Sequence, residues 1–253
     1  MFDFLLKTPN RVAFKVLGID IMWYGLLVGL GMVAAVVLAY RRAPKLGLNS
    51  ERVLDLALWS IPAGVIGARL YYVLFQWELY KDDLKSILNL RAGGLAIHGG
   101  ILVGVGLAMI LLKWAWKEDV LRYIDLIMPS IALGQAIGRW GNYFNQEAYG
   151  RETDLPWGML VNGKFVHPTF LYESIWCLLL CLFLMWLVHS GRQSFKGQIL
   201  CLYPMLYSLE RFFVEGLRTD SLMIGPLRQA QVISLCLFAL GAIGYVTLKK
   251  RAK

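Results

Sequence analysis

Residues Ile21–Tyr40 read IMWYGLLVGLGMVAAVVLAY, twenty positions without a charge, and Arg41-Arg42 follow at once. A helix rises 1.5 Å per residue, so about 20 apolar residues cross the hydrocarbon core of a bilayer. The arginine pair reads as a stop-transfer signal, and no Ala-x-Ala site follows the run, so it is not a cleaved signal peptide. The rest of the chain agrees with a membrane setting. Of 253 residues, 58% are hydrophobic and 17% charged, whereas a soluble domain has about 45–50% and about 25%. The same figures exclude a disordered chain, which needs low hydrophobicity.

Working outward, six further apolar runs occupy Val53–Gln76, Leu95–Trp116, Ile124–Phe144, Phe170–Val188, Gln198–Glu215 and Val232–Leu248. The expected fold is all-α, with seven transmembrane helices in one integral-membrane domain over residues 1–253. The net charge of +9 would point to nucleic acid in a soluble protein. In this apolar chain it instead reads as loop charge facing lipid headgroups, with no nucleic-acid partner. Outside the runs, 13 Lys and Arg fall on the side carrying Arg41, Arg42 and Lys249 to Lys253, and 10, Arg91 among them, on the other. The positive-inside rule then puts the C-terminus in the cytoplasm and the N-terminus outside. Two longer outer segments follow, 77–94 and 145–169. In the second, Trp157–Val161 and Lys164–His167 flank Asn162-Gly163, a two-residue hairpin signal, so a small extracytoplasmic β arm is expected.

Ionisable groups inside a span are costly and mark function by default. Arg69, Arg139 and Arg211 are the three arginines inside the runs. With Tyr24, His98, Asn142, Asn145, Glu173, Tyr207 and Glu215 they all map toward one membrane face. Asp55 and Asp125 sit at the opposite end and read as interface or capping residues. Gln135, Arg139, Asn142 and Gln146 share one helical face, as do Tyr207, Arg211, Glu215 and Arg218. Such stripes can glue helices together, but glue ordinarily uses Ser, Thr or a single Asn rather than several arginines. Glu215, four residues after Arg211, is a credible partner for it. The spacings Gly25/Gly29, Gly100/Gly104 and Gly134/Gly138 permit close helix approach. Cys177, Cys181, Cys201 and Cys236 lie in apolar stretches without a CxxC and read as packing residues. No Walker, HExxH or GxSxG motif and no metal-ligand cluster is present, so no metal or cofactor is expected. His98, in Ala-Ile-His-Gly-Gly, is expected at a helix N-terminus, which disfavours positive charge and suits a proton acceptor. His167-Pro168 can end the arm and start the fifth span.

The stretch Gly138-Arg139-Trp140-Gly141-Asn142-Tyr143-Phe144-Asn145-Gln146-Glu147-Ala148-Tyr149-Gly150 resembles the diagnostic motif of the prolipoprotein diacylglyceryl transferases. Trp23-Tyr24-Gly25, Gly67-Ala68-Arg69-Leu70, His98-Gly99-Gly100, His167 to Glu173 and Glu210 to Glu215 join it in family order across nearly the whole chain. Phe170 and Ala68 depart from the commonest family form, Gln and Gly. The resemblance implies a bacterial plasma-membrane enzyme with a site open to the outer face. It implies transfer of the diacylglyceryl group of phosphatidylglycerol to the thiol of a lipobox cysteine in a prolipoprotein signal peptide, with glycerol phosphate leaving. It further implies His98, Arg139 and Arg211 as catalytic groups, and Tyr24, Arg69, Asn142, Asn145, Glu147, Gly150, Tyr207, Glu215 and Arg218 as substrate-binding groups. These residue types suit the chemistry. A thiol of pKa about 8.5 needs a base, and the departing phosphate gains charge that the planar arginine fork stabilises. On this reading Glu147 and Glu215 orient the arginines. Two other classes make different predictions. An anion transporter would place charges at the midplane and show repeats, and a non-catalytic scaffold would tolerate Arg→Lys.

Overall fold

The computed structural model describes residue 5 and residues 7–90 and 93–252. Arg91 and Lys253, counted above among the loop charges, lie outside the described residues. Seven helices form among those described: α1 (Trp23–Arg42), α2 (Ser50–Phe75), α3 (Ile97–Ile110), α4 (Val120–Asn145), α5 (Thr169–His189), α6 (Gln198–Glu215) and α7 (Gln229–Arg251). α3 runs on through a wider π turn, Leu111–Ala115. Several helices exceed the apolar runs that announce them, because polar caps extend the ends. Asn49 accepts from the Glu51 amide at 2.9 Å and starts α2 three residues before its apolar run.

Six of the seven are long and apolar enough to cross a membrane. The exception is α6, whose 18 residues include Glu210, Arg211 and Glu215. The seven-span expectation is thus met by helix count, with six spans by composition.

Among the described residues there are also three two-stranded antiparallel sheets. One is the expected hairpin, β3 (Met159–Val161) and β4 (Lys164–Val166). Its turn residues Asn162 and Gly163 have φ of 49° and 80°, the left-handed pair of a type I′ turn. The other two were not foreseen from the sequence: β1 (Val12–Val16) with β2 (Ile19–Met22), and β5 (Met223–Ile224) with β6 (Leu227–Arg228).

Residue contacts divide the chain into two compact units: Met1–Ala39 with Ile124–Lys253, and Tyr40–Tyr123. In the first, the aromatic end of α4 meets the hairpin. Leu5, Tyr143, Met159, Val161, Val166 and Phe170 form a buried cluster that Trp140 and Phe144 flank. Phe170, one of the two departures from the family form, is therefore a core residue.

Apolar burial does not drive helix association in lipid, so small residues and interhelical hydrogen bonds set the packing. A Cβ on Gly31 would come 2.7 Å from the Gly134 carbonyl oxygen. Trp140 Nε1 donates to Ser174 Oγ at 3.1 Å, and that hydroxyl donates to the Ala136 carbonyl at 2.7 Å, pinning α5 to α4. Trp176 Nε1 donates to the Leu206 carbonyl at 3.1 Å, pinning α5 to α6. At the far end, the buried Asp125 carboxylate accepts from the Gly197 and Leu200 amides at 2.6 and 2.9 Å. It caps α6 from α4, as its expected capping role requires.

In the second unit α2 packs along α3. Gly64 faces Gly100 and Gly104, and Gly67 faces Gly99. The expected close approach holds at Gly100, Gly104 and Gly134. Gly25, Gly29 and Gly138 have nothing within 4 Å of a Cβ position. Cys236 is exposed, unlike the other three cysteines, which corrects its reading as a buried packing residue.

Candidate active site

The first unit holds ten of the twelve candidate residues, and five of them are linked, directly or through one another, to one carboxylate. Glu173 sits in the first turns of α5, with its side chain 1% exposed. One of its oxygens pairs with Arg139 Nη1 at 3.0 Å, the other with Arg211 Nη1. Arg211 Nη2 pairs with Glu215 Oε2 at 2.6 Å, the i,i+4 contact expected from the sequence. Arg139 Nη2 donates to the Tyr207 hydroxyl at 3.1 Å. Tyr207 stacks on Tyr203, whose hydroxyl donates to Gln135 Oε1 at 2.7 Å. The two polar stripes of α4 and α6 thus face each other, with Glu173 of α5 between their arginines.

Glu173 was legible as an intramembrane carboxylate within a motif, but its place between two arginines was not. Glu210 is a second residue outside the expected set. It is buried, and neither carboxylate oxygen has a hydrogen-bond partner among the described residues.

The arginines retain capacity. A guanidinium has five N–H donors. Arg139 and Arg211 each direct two terminal nitrogens at the contacts above, and the Nε of each makes no described hydrogen bond. Arg218 lies 3.9 Å from Glu215 and uses Nε and Nη2 on Asp220 at 2.9 and 2.8 Å. That fork holds the Asp220 carboxyl below the usual carboxylate range. A half-buried pair of arginines balanced by Glu173 and Glu215, with donors to spare, can receive an anion without leaving these two carboxylates unpaired.

Past Asn145 the chain leaves α4 through Gln146 and Ala148, at φ of 51° and 57°. Left-handed backbone at two non-glycine residues is a strained turn held by its surroundings. Gln146 Nε2 donates to the Leu160 carbonyl at 3.1 Å, and the Thr169 hydroxyl donates to the Ala148 carbonyl. The turn folds Glu147 back on α4, where its Oε1 accepts from Asn142 and Asn145 at 3.0 and 3.3 Å. Glu147 therefore orients the two asparagines. Its expected role of orienting the arginines is corrected, because the left-handed exit carries its carboxylate to the other partners.

Gly150 then pairs with Arg218 in an antiparallel bridge. A Cβ there would lie 2.7 Å from His167 Cβ. The glycine lets the exits of α4 and α6 meet at the site. Tyr24, in the first turn of α1, packs its ring over Gly141, where a Cβ would come within 2.8 Å. His167 ends the arm as expected. Its Nδ1 is 3.2 Å from the Tyr172 hydroxyl, and burial together with the charge of Arg151 lowers its pKa.

His98 and Arg69 belong to the second unit. His98 is the second residue of α3, at the helix N-terminus where the sequence put it, and is exposed. Its ring lies 6.4 Å from that of Tyr71. Arg69 is buried and, among the described residues, its hydrogen bonds go to backbone carbonyls. No group of three or more His, Cys, Asp or Glu among the described residues is arranged to hold a metal ion.

Comparison with known proteins agrees with the motifs. A family profile described as prolipoprotein diacylglyceryl transferase matches residues 11–247. A phosphatidylglycerol–prolipoprotein diacylglyceryl transferase of Finegoldia magna is 47% identical over 244 residues, covering 96% of this chain and 97% of its own. One from Clostridioides difficile is 48% identical with the same coverage. One from Thermosynechococcus vestitus is 43% identical, covering 93% of this chain and 91% of its own. By both the profile and the relatives, this chain belongs to the prolipoprotein diacylglyceryl transferase family.

Proposed function

We propose that this chain transfers the diacylglyceryl group of phosphatidylglycerol to the thiol of a prolipoprotein's lipobox cysteine. The cysteine thiolate attacks the glyceryl carbon that carries the phosphate. The carbon–oxygen bond breaks, its electron pair goes to the phosphate oxygen, and glycerol phosphate leaves as the thioether forms. The thiol proton goes to a base.

The observation that carries this reading is the pair Arg139 and Arg211, held on the buried Glu173 with further N–H donors available. A planar cation pair in a water-poor setting stabilises charge that develops on a departing phosphate. Tyr207 and Arg218 extend the same constellation. Asn142, Asn145 and Glu147 form a neighbouring polar group suited to glycerol hydroxyls, and Gly150 and Glu215 hold the geometry. Tyr24 lines the α4 end of the group. The role of His98 as thiol base rests on its motif and on the need for a proton acceptor. No cofactor enters this chemistry.

The supporting topology is a multi-pass protein of the bacterial plasma membrane, one domain with α6 as a seventh span. Its N-terminus is outside, its C-terminal Lys-Lys-Arg is cytoplasmic, and the site faces outward. Both substrates then reach the site through lipid. The test is a reconstituted assay with phosphatidylglycerol vesicles and a lipobox peptide, read as glycerol phosphate release. The native protein should turn over and Arg139→Lys should not, though it inserts normally. Full activity of purified Arg139→Lys would defeat the leaving-group role.

A further inference from the structure

Arg69, which is buried, differs from the half-buried Arg139 and Arg211 in how its donors are used. Nε donates to the Ile87 carbonyl at 2.8 Å. Nη1 donates to Gly93 at 2.8 Å and Gly94 at 3.0 Å. Nη2 donates to Ser86 at 2.8 Å and Asn89 at 3.3 Å. Five donors meet five carbonyls, and the guanidinium lies over the Tyr80 ring, 5.0 Å from its centroid. Unlike Arg139 and Arg211, it has no N–H left for a phosphate.

The carbonyls it gathers lie in the crossover from α2 to α3. Gly93 and Gly94 adopt φ of 83° and 75°, which point their carbonyls at the guanidinium. A Cβ at Gly94 would come 2.5 Å from Arg69 Nη1. Just after them the Ala96 amide donates to the Ala68 carbonyl at 3.0 Å, and Ala96 caps α3 two residues before His98. Gly99 then seats on Gly67 without room for a side chain. Contacts at Gly93, Gly94, Ala96 and Gly99 thus tie the entry of α3 back to α2 around Arg69.

We propose that Arg69 is a positioning residue: it clasps the crossover and so holds the first turn of α3, and His98 in it, in place for catalysis, without binding lipid phosphate itself. This rests on the reading of His98 as the thiol base. The clasp needs a planar fork that reaches the carbonyls of Ser86, Ile87 and Asn89 and those of Gly93 and Gly94 together. Lysine, a point charge with three donors, cannot reproduce it.

The test uses full-length protein in phosphatidylglycerol vesicles, with Arg69→Lys, His98→Gln, the double variant, and Gly94→Ala as an independent break of the same clasp. Arg69→Lys and Gly94→Ala should each lower kcat about tenfold or more and leave KM for phosphatidylglycerol within about twofold. Amide exchange over residues 86–90 and 93–96 should quicken about tenfold. The double variant should be no slower than His98→Gln, because the clasp acts through that residue. Native exchange in Arg69→Lys would overturn the clasp. A KM raised fivefold or more at native kcat would make Arg69 a phosphate ligand instead. A double variant slower than His98→Gln by the full Arg69→Lys factor would overturn action through His98. His98→Gln at native turnover would defeat the base reading, and with it this role for Arg69, whereas the exchange data would still judge the clasp by itself.

Discussion

Replacing Glu173 by glutamine keeps the shape of the side chain and removes the carboxylate charge that pairs with both Arg139 and Arg211. At 3.0 Å from Arg139 Nη1 and an effective dielectric of about 20, that charge supplies about 5 kcal/mol of Coulomb attraction before desolvation is counted. Measured losses on breaking one partner of a buried pair are about 3–5 kcal/mol. Here two guanidinium groups lose the same partner, and Glu215 is left to hold Arg211 alone. The arginines move apart or swing toward solvent, and a misplacement of about 1 Å in a catalytic group costs about a hundredfold. Glu173→Gln should therefore lower kcat for glycerol phosphate release about a hundredfold, with some loss of thermal stability in detergent. Glu173→Asp keeps the charge but is one methylene too short to reach both arginines, so it should fall between. Initial rates with a lipobox peptide in phosphatidylglycerol vesicles measure this, with folding checked by the unfolding temperature. A Glu173→Gln protein within threefold of native kcat would show that the carboxylate does not set the arginine geometry.

Gly150→Ala pushes a methyl against His167 and loosens the bridge to Arg218, a cost of about 1–3 kcal/mol for overpacking. Its activity should drop at least about tenfold while expression persists, and native turnover would mean the bridge is dispensable. Asp125→Asn keeps an acceptor at the start of α6 and loses the charge facing the helix dipole, worth about 1 kcal/mol. Asp125→Ala leaves both amides unpaired and should unfold at a clearly lower temperature than Asp125→Asn, so equal unfolding temperatures would remove the capping role. The folded state lowers the pKa of His167 below its ordinary 6.5, so the unfolded chain binds the proton more readily. The native protein should therefore lose stability as pH falls below about 6.5 and hold it above. His167→Gln should lose that increment in a comparison of unfolding temperatures at about pH 5 and about pH 7.5, and an identical acid shift in both proteins would count against it.

The helices were legible because a bilayer imposes a length and a composition that periodicity alone cannot mimic. α1 and α7 follow from apolar runs without a charge, α5 from one broken by Glu173, and the Asn162-Gly163 turn from its residue types. The β1–β2 hairpin was hidden because Ile21 and Met22 of β2 run directly into the first apolar stretch. Its turn puts Leu17 at φ 49°, a conformation that leucine does not announce. The candidate site was legible as a set of polar residues on two helical faces, but not as a wiring. Glu173 meets Arg211 across 38 positions of sequence, and such a pairing leaves no local pattern. Glu147 looked like an arginine partner by residue type, and the backbone at Gln146 and Ala148 sent it to the asparagines instead.

Counting intramembrane arginines treats Arg69, Arg139 and Arg211 as equivalent, since each is a cation in an apolar run. Their surroundings separate them by donor use. A buried guanidinium must have its charge and its five N–H groups accommodated. At Arg69 neutral carbonyls take all five, which makes a rigid joint. At Arg139 and Arg211 carboxylates balance the charge while donors remain, which makes a receptor for a further anion. The difference is testable through one ligand. Inorganic phosphate or glycerol phosphate, added as a product-like inhibitor, should bind several-fold more weakly to Arg139→Lys and Arg211→Lys than to the native protein. Arg69→Lys should bind it as the native protein does, although it turns over slowly. Weakened binding in Arg69→Lys to the same degree would return that arginine to the phosphate site and undo the distinction.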